Sequence, residues 1–169
     1  SRLLVQEMLD IGITDAHMDE NGYVYGTIPS NTGKKVPVIC FCSHVDTAPD
    51  CSGSGVKPIV HKNYQGQDLV LPDDPSQVIR MADHRHLADM IGKDVVTASG
   101  TTLLGADDKA GVAELIEALE VLREQQVPHG PLEVVITIAE EIGLVGAKHL
   151  DYTLLKSKRG YPLDTEGTG

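Results

Sequence analysis

The sequence has little that would suit a membrane, a nucleic acid or a disulfide-rich fold. No apolar run approaches the length needed to cross a bilayer, which excludes a membrane-spanning helix. Basic residues are scarce, with 14 lysines and arginines against 25 aspartates and glutamates, and the net charge of -11 argues against nucleic-acid binding. The three cysteines are odd in number and clustered, which argues against a secreted disulfide framework. They indicate a reducing compartment, so we expect a cytoplasmic protein.

The chain also lacks a signal-peptide layout, an initiator methionine, internal repeats and low-complexity tracts. Because it opens directly on a helical pattern, we expect it to begin inside a longer protein. What is present is an ordinary globular composition of 169 residues, with 41% hydrophobic and 23% charged residues. This length is sufficient for one domain with a proper core.

Strand-like and helix-like segments alternate along the chain. This alternation predicts an α/β fold, with layered α/β/α architecture and a mixed, largely parallel central sheet. Asn21-Gly22 indicates a tight hairpin turn before the first long strand. The main predicted elements are a helix over 3–9, a strand over 23–28, a strand over 36–41, a helix buried on nearly all sides over 112–122, a strand over 132–138, a short helix over 146–150 and a strand over 160–164.

His44 and Asp46 are two residues apart on one face of a predicted buried strand, at the end of its apolar segment 36–41. An extended chain has a period of two, so both side chains are expected on the same side. The carboxyl ends of buried strands are also where α/β sheets bind ligands. The pair suits a metal-bound imidazole and a carboxylate that orients it, although a lone His-x-Asp is more often a strand-end histidine with an ordinary partner.

Further acidic residues follow other predicted strands at the same kind of position, namely Asp107, Glu140, Glu141 and Asp164. Buried carboxylates are costly unless they are paired or bind a cation, so several at one rim indicate a metal. Nitrogen and oxygen ligands without thiolates favour zinc, with cobalt or manganese as substitutes. In a two-metal site one carboxylate bridges the ions and another takes a proton from the attacking water. The adjacent Glu140 and Glu141 could divide such tasks.

Four ordered motifs resemble those of the peptidase T-like family of di-zinc exopeptidases, which includes tripeptide aminopeptidases. The motifs are His44-Val-Asp46-Thr-Ala-Pro, Gly105-Ala-Asp107-Asp-Lys-Ala-Gly111, Glu140-Glu141-Ile-Gly143 and Tyr-Pro-Leu-Asp164. Together they span nearly the whole chain.

The resemblance implies a site with two Zn²⁺ ions. His44 and Asp164 would bind the first ion, Glu141 the second, and Asp107 would bridge both. The peptide bond between Asp107 and Asp108 is commonly cis in this family.

The resemblance also implies two residues with catalytic roles. Asp46 would orient the imidazole of His44. Glu140 would be the general base that deprotonates the attacking water and passes the proton to the leaving amine. The implied reaction is hydrolysis of the peptide bond after the amino-terminal residue of a short peptide, such as a tripeptide.

The sequence departs from the family pattern at two positions. Ala139 stands where family members usually carry an acidic residue, and Thr165 stands where glycine usually follows the last metal-binding aspartate. The preferred length of the peptide substrate is therefore open.

Family members are also much longer. The resemblance implies that residues 1–169 are the amino-terminal portion of the catalytic domain, without the lid or dimerisation domain and the carboxyl-terminal part that supplies a second zinc-binding histidine. We therefore expect the isolated 169-residue chain to have little or no activity and to be a monomer. The parent protein is expected to form a homodimer through the lid.

Other interpretations remain. The chain could be a related di-zinc amidohydrolase or a carboxypeptidase-type deacylase, or a noncatalytic module with a vestigial site, although an intact Glu140 argues against the last. Cys40, Cys42 and Cys51 could form a structural zinc site with His44, but they lack the usual Cys-x-x-Cys spacing. The remaining histidines are expected to have ordinary partners, and they are His17, His61, His84, His86, His129 and His149.

Overall fold

The computed structural model describes residues 1–164, which divide into two compact units. The first unit contains residues 1–47 and 106–164, and the second contains residues 48–105. Thr165, one of the two departures from the family pattern, lies outside the described residues. Over residues 1–164, no helix combines the length and the apolar character that a membrane span requires.

The first unit is built on a mixed five-stranded sheet. Its strands are β1 His17–Met18, β2 Val24–Ile28, β3 Ile39–His44, β8 Leu132–Thr137 and β9 Gly160–Pro162. Their order in the sheet is β1-β2-β8-β3-β9. Strands β1 and β2 form the predicted hairpin, and β2 runs antiparallel to β8. Strands β3, β8 and β9 are parallel to one another, so their carboxyl ends lie at one edge.

Two helices cover one face of this sheet. Helix α1 spans Arg2–Asp10 and helix α2 spans Ala106–Glu124. Alternate residues of the central strands point towards these helices and form the main core. The buried members of this core are Leu4, Met8, Ile13, Ala16, Val24, Val112, Leu115, Leu119, Leu132, Val134 and Ile136.

The other sheet face carries a smaller core of Tyr23, Tyr25, Cys40 and Val135. The short helix α3, Val145–His149, is joined to this face because the Tyr23 hydroxyl donates a hydrogen bond of 2.8 Å to the Gly146 carbonyl. These helices and the mixed sheet confirm the predicted α/β class.

Two details of the sequence prediction are wrong. Strand β3 begins three residues later than the apolar segment 36–41, because Pro37 has no N–H to donate and Val36 is 41% exposed, and its backbone pairing with β8 continues as far as His44. Helix α2 is not buried on nearly all sides. Its apolar residues include exposed alanines at 113 and 118, so only one face packs on the sheet.

Glu133 is a buried carboxylate in the middle of β8, with 2% of its surface exposed. Its oxygens accept hydrogen bonds from the backbone N–H groups of Lys156 and Ser157, in the segment before β9. Burial alone raises the pKa of Glu133, but the hydrogen bonds from Ser157 and from the backbone of Lys156 outweigh it and lower the pKa. Glu133 is therefore held as an anion.

We expect Glu133→Gln to lower the free energy of unfolding by about 1.5–3 kcal/mol at pH 7, the range for hydrogen bonds to charged groups. Because folding lowers the pKa of Glu133, its contribution is complete above the pKa of an unfolded glutamate, about 4.3. It is lost as the pH falls through the lower pKa of the folded state. Urea denaturation at pH 7, 5 and 3 should show the same difference at pH 7 and 5 and a smaller one at pH 3, while the exposed Glu114→Gln control stays near wild type. A difference independent of pH would contradict this account.

The second unit contains two small antiparallel pairs of strands. Strand β4, Ile59–His61, pairs with β7, Val95–Thr97. Strand β5, Leu69–Val70, pairs with β6, Val78–Ile79. A 3₁₀ helix spans Arg85–Met90. No residue proposed for the functional site lies in this unit.

Candidate metal centre

The three parallel strands of the first unit bring candidate residues from distant parts of the chain to one edge of the sheet. His44 is the last residue of β3, Glu140 and Glu141 follow the end of β8, and Asp164 follows the end of β9. Because parallel strands end at the same edge, separations of about a hundred residues in sequence become neighbouring positions in space. This is the arrangement expected from the sequence.

Helix α2 adds Asp107 and Asp108 from its first turn, where the backbone dihedral angles are not helical. The peptide bond between them is cis, as the family resemblance implied. Asp108 is 4% exposed, and its carboxylate accepts hydrogen bonds from the Ser43 hydroxyl and from the His44 backbone N–H. Asp108 therefore links the start of α2 to the end of β3, which places Asp107 beside the imidazole of His44.

His44, Asp107 and Asp164 form a group of potential metal ligands. Their nearest ligand atoms all lie within 4.8 Å of one another. The Nε2 atom of His44 is 3.0 Å from Oδ1 of Asp107 and 4.0 Å from Oδ2 of Asp164. His44 is 2% exposed, whereas the side chains of Asp107 and Asp164 are 68% and 37% exposed. The imidazole thus lies at the base of the group and the two carboxylates at its open side.

Asp46 lies beyond β3 and contacts both His44 and the loop after β8. Nδ1 of His44, the ring nitrogen on the far side from Asp107, lies 3.2 Å from the backbone carbonyl oxygen of Asp46, its hydrogen-bond partner, and 3.4 Å from Oδ1 of the Asp46 carboxylate. Its two oxygens accept the backbone N–H groups of Glu140 and Glu141, each at 3.1 Å. Asp46 therefore fixes the orientation of the imidazole and the position of the paired glutamates at the same time.

The two glutamates differ in their relation to the ligand group. Oε2 of Glu140 is 3.9 Å from Nε2 of His44, on the same side of the ring as Asp107 and Asp164. Neither glutamate is a member of the ligand group found among residues 1–164, and of the two only Glu140 has a carboxylate oxygen within 4.0 Å of His44 in that part of the chain. The structure thus brings five of the six predicted side chains together around His44 and leaves the Glu141 carboxylate outside that set.

The charges at this centre repel one another. Burial, together with the carboxylates of Asp108 and Asp107, raises the pKa of Asp164. Burial also raises the pKa of Glu140, and the neighbouring acids add to this effect while His44 opposes it. Burial lowers the pKa of His44, but the hydrogen bond to Asp107 and the surrounding carboxylates outweigh it and raise the pKa. A cation bound among these groups would relieve the repulsion.

The donor set fits a borderline metal ion such as zinc. One imidazole nitrogen and carboxylate oxygens are normal ligands of catalytic zinc, whose sites leave a position open. The group contains no cysteine, so the alternative of a structural zinc site gains no support. Burial, with Cys42 and Glu133 nearby, raises the pKa of the Cys40 thiol to about 12, so it carries no thiolate at neutral pH.

Sequence reasoning missed the residues that hold the ligands in place. Asp108 and Ser43 were not predicted to bond to each other, and Asp46 was not expected to accept the backbone N–H groups of the glutamates. The signal for Asp108 was its place beside Asp107 in the second motif. No local pattern could show its partners, because they come from another strand.

Two glycines also allow close backbone contacts at this edge. A Cβ on Gly111 of α2 would lie 1.9 Å from the carbonyl oxygen of Leu163, next to Asp164. A Cβ on Gly146 of α3 would lie 1.6 Å from the carbonyl oxygen of Ile138, two residues before Glu140. Both separations are far below a normal contact, so only glycine fits. Both glycines lie in or just beyond the sequence motifs, which was the available signal.

Comparisons with known proteins find similarity to peptidases. A family model of M42 glutamyl aminopeptidases matches residues 91–161. Peptidase T of Bacillus pumilus is 46% identical over 165 residues, which are 97% of this chain and 40% of that protein. The crystal structure of aminopeptidase PepT from Bacillus cereus has a TM-score of 0.72 and 33% identity, and the match covers 98% of this chain and 37% of the other.

A tripeptidase from Staphylococcus aureus has a TM-score of 0.71 and 31% identity, with 99% of this chain and 38% of the other covered. The present chain therefore spans about 40% of the length of the relatives that it matches.

Proposed function

Because this chain is related to the peptidase T family along nearly its whole length, we propose that it contributes to a metal-dependent aminopeptidase that removes the amino-terminal residue from short peptides. The observation that carries the proposal is the group of His44, Asp107 and Asp164, with the Glu140 carboxylate 3.9 Å from the same ring nitrogen of His44. Metal ligands beside a carboxylate with a raised pKa are the parts that metal-assisted hydrolysis requires.

The proposed metal is zinc, with Co²⁺ or Mn²⁺ as substitutes. His44, Asp107 and Asp164 would hold an ion, and Glu141 would join Asp107 in holding a second. Bound there, zinc would polarise the peptide carbonyl and lower the pKa of water. Asp46 would keep the Nε2 atom of His44 directed at the site, since its backbone carbonyl and its carboxylate lie 3.2 and 3.4 Å from Nδ1 on the opposite side of the ring.

Glu140 is the proposed general base. Its carboxylate lies on the ligand side of His44, and its backbone is held by Asp46, so the proton acceptor has a fixed place. Burial and the neighbouring acids raise the pKa of Glu140, which strengthens it as a base. It would take a proton from the attacking water and deliver it to the nitrogen of the leaving amine. The C–N bond then breaks, the hydroxyl stays on the acyl carbon as the new carboxyl group, and the amine leaves as the new amino terminus of the shortened peptide.

The substrate class follows from two relatives, an aminopeptidase and a tripeptidase, at 33% and 31% identity. We propose tripeptides with a free amino terminus. The alternative of a deacylase or carboxypeptidase-type amidohydrolase would use the same metal centre but would not require a free amino group.

The experiment compares Leu-Gly-Gly with N-acetyl-Leu-Gly-Gly as substrates of the full natural protein, after removal of metal and return of Zn²⁺, Co²⁺ or Mn²⁺. We expect release of leucine from the first peptide only, dependent on added metal. Native mass spectrometry on the same samples should show bound zinc, which Asp107→Ala abolishes. Hydrolysis of the acetylated peptide would favour the deacylase, and the absence of bound zinc in the wild type would reject the metal centre.

A further inference from the structure

We propose that Glu133, a residue outside the candidate site, is a positioning residue that fixes Asp164 through the segment preceding β9. The inference rests on the proposed function, because Asp164 is one of the proposed metal ligands. It concerns a different question, namely what holds that ligand at the distance seen from His44.

Strand β9 has few contacts of its own to hold it in place. Its three residues, Gly160–Pro162, are all exposed, and within the described residues it pairs only with β3. Few backbone hydrogen bonds join this segment to β3. At its two ends, the Cys40 N–H donates to the Arg159 carbonyl and the Leu163 N–H donates to the Cys42 carbonyl. Tyr161 contacts the ring of Phe41 and Leu163 packs against the main core, but the three strand residues bury little apolar surface themselves, so polar contacts before the strand add to its anchoring.

Glu133 is the polar anchor with the deepest burial near this strand. It lies on β8 opposite Cys40 of β3, so its side chain projects past β3 towards the segment that leads into β9. Its Oε1 accepts the Lys156 N–H at 2.9 Å, and its Oε2 accepts the Ser157 N–H at 3.0 Å. Two successive N–H groups are thus held by one ionised carboxylate, and bonds of this kind are stronger and more directional than neutral ones.

The path from this anchor to the ligand is short. Ser157 lies three residues before the start of β9, and Asp164 lies two residues after its end. At the far end, the Leu163 carbonyl lies against Gly111 of α2, where no side chain separates the two backbones. The strand is therefore fixed at both ends, by Glu133 before it and by the close approach to Gly111 after it.

A purely structural role for Glu133 would lower stability without acting through Asp164. The two roles can be separated by a double-mutant cycle, because residues that act along one path show non-additive effects. The relevant variants are Glu133→Gln, Asp164→Asn and the two combined. Glu114→Gln, an exposed glutamate on α2, is the matched control, and Glu133→Asp is the milder variant should Glu133→Gln fail to fold.

The experiment measures Co²⁺ affinity by competition with a chromophoric chelator, the visible absorption spectrum of bound Co²⁺, and amide hydrogen exchange of residues 156–164 in the metal-free protein. We expect Glu133→Gln to weaken Co²⁺ binding by about 10- to 100-fold, the range for outer-shell partners of metal ligands. We expect its Co²⁺ spectrum to shift towards that of Asp164→Asn, and exchange to rise over residues 156–164. In the Asp164→Asn background, Glu133→Gln should cause little further loss, and Glu114→Gln should match wild type.

Additive losses in the double variant, or unchanged affinity and spectrum in Glu133→Gln, would overturn the inference. If the wild type takes up no Co²⁺, the proposed function fails by itself. The positioning of β9 is then decided by hydrogen exchange, and unchanged protection of residues 156–164 in Glu133→Gln would reject it.

Discussion

Glu140→Gln is expected to slow release of the amino-terminal residue by a factor of about 10²–10⁴ while leaving metal binding nearly unchanged. Glutamine has the same shape, and the Glu140 backbone N–H still reaches Asp46, so the loop should keep its position. The amide cannot accept a proton from the attacking water. We therefore expect kcat to fall, because the substitution slows the chemical step.

The measurement is kcat and KM for Leu-Gly-Gly with the full natural protein, together with Co²⁺ affinity of each variant. Glu141→Gln is the matched comparison, because it changes the adjacent residue by the same atoms and is proposed to remove a metal ligand. We expect its main defect to be weaker metal binding. Weak metal binding in Glu140→Gln, or normal turnover with metal bound, would show that the roles of the two glutamates are assigned incorrectly.

Gly146→Ala is expected to lower the free energy of unfolding by about 3 kcal/mol or more, at the upper end of the range for overpacking. The added Cβ would lie 1.6 Å from the Ile138 carbonyl oxygen, and that atom belongs to the backbone and cannot rotate away. Helix α3 or the loop after β8 must therefore move. Since the same loop carries Glu140 and Glu141, metal affinity should fall together with stability.

Denaturation by guanidinium chloride, with chelator present, gives the stability change without a contribution from metal. Gly160→Ala is the control, because a Cβ there would meet only the Cys40 carbonyl oxygen at 4.0 Å, an ordinary contact. We expect that variant to stay within about 1 kcal/mol of wild type. Equal stability of the Gly146→Ala and Gly160→Ala variants would contradict this prediction, because it would mean that α3 moves away from the Ile138 carbonyl with no loss of free energy of unfolding.

The sequence was sufficient to predict the α/β class and the edge at which His44, Glu140 and Asp164 meet. The reason is that apolar segments end in polar residues at several points, and parallel strands place those points side by side. The sequence was less informative about where β3 begins. The apolar segment starts at Val36, but the strand itself starts at Ile39. Strand limits depend on which backbone groups find partners, and Pro37 finds none in the sheet.

The supporting contacts could not be predicted in the same way. Glu133 looks like a solvent-facing residue in an otherwise apolar strand, and its partners Lys156 and Ser157 are more than twenty residues away. Asp108 likewise depends on Ser43 from another strand. Hydrogen bonds between distant segments depend on how the whole chain packs. The local pattern of polar and apolar residues therefore does not predict them.

The hydrogen bonds that Asp46 accepts from two consecutive N–H groups also fix the register of the loop after β8, that is, which residue occupies each position. Its two oxygens select the amides of Glu140 and Glu141 and no others in the described residues. An insertion of one residue between Thr137 and Ala139 could preserve both bonds only by offering the amides of Ala139 and Glu140 instead. Glu140 would then stand where Glu141 stands now, Ala139 would take the place of Glu140, and Glu141 would be displaced beyond both positions. Loop length at this position is therefore as constrained as the identity of the acids themselves.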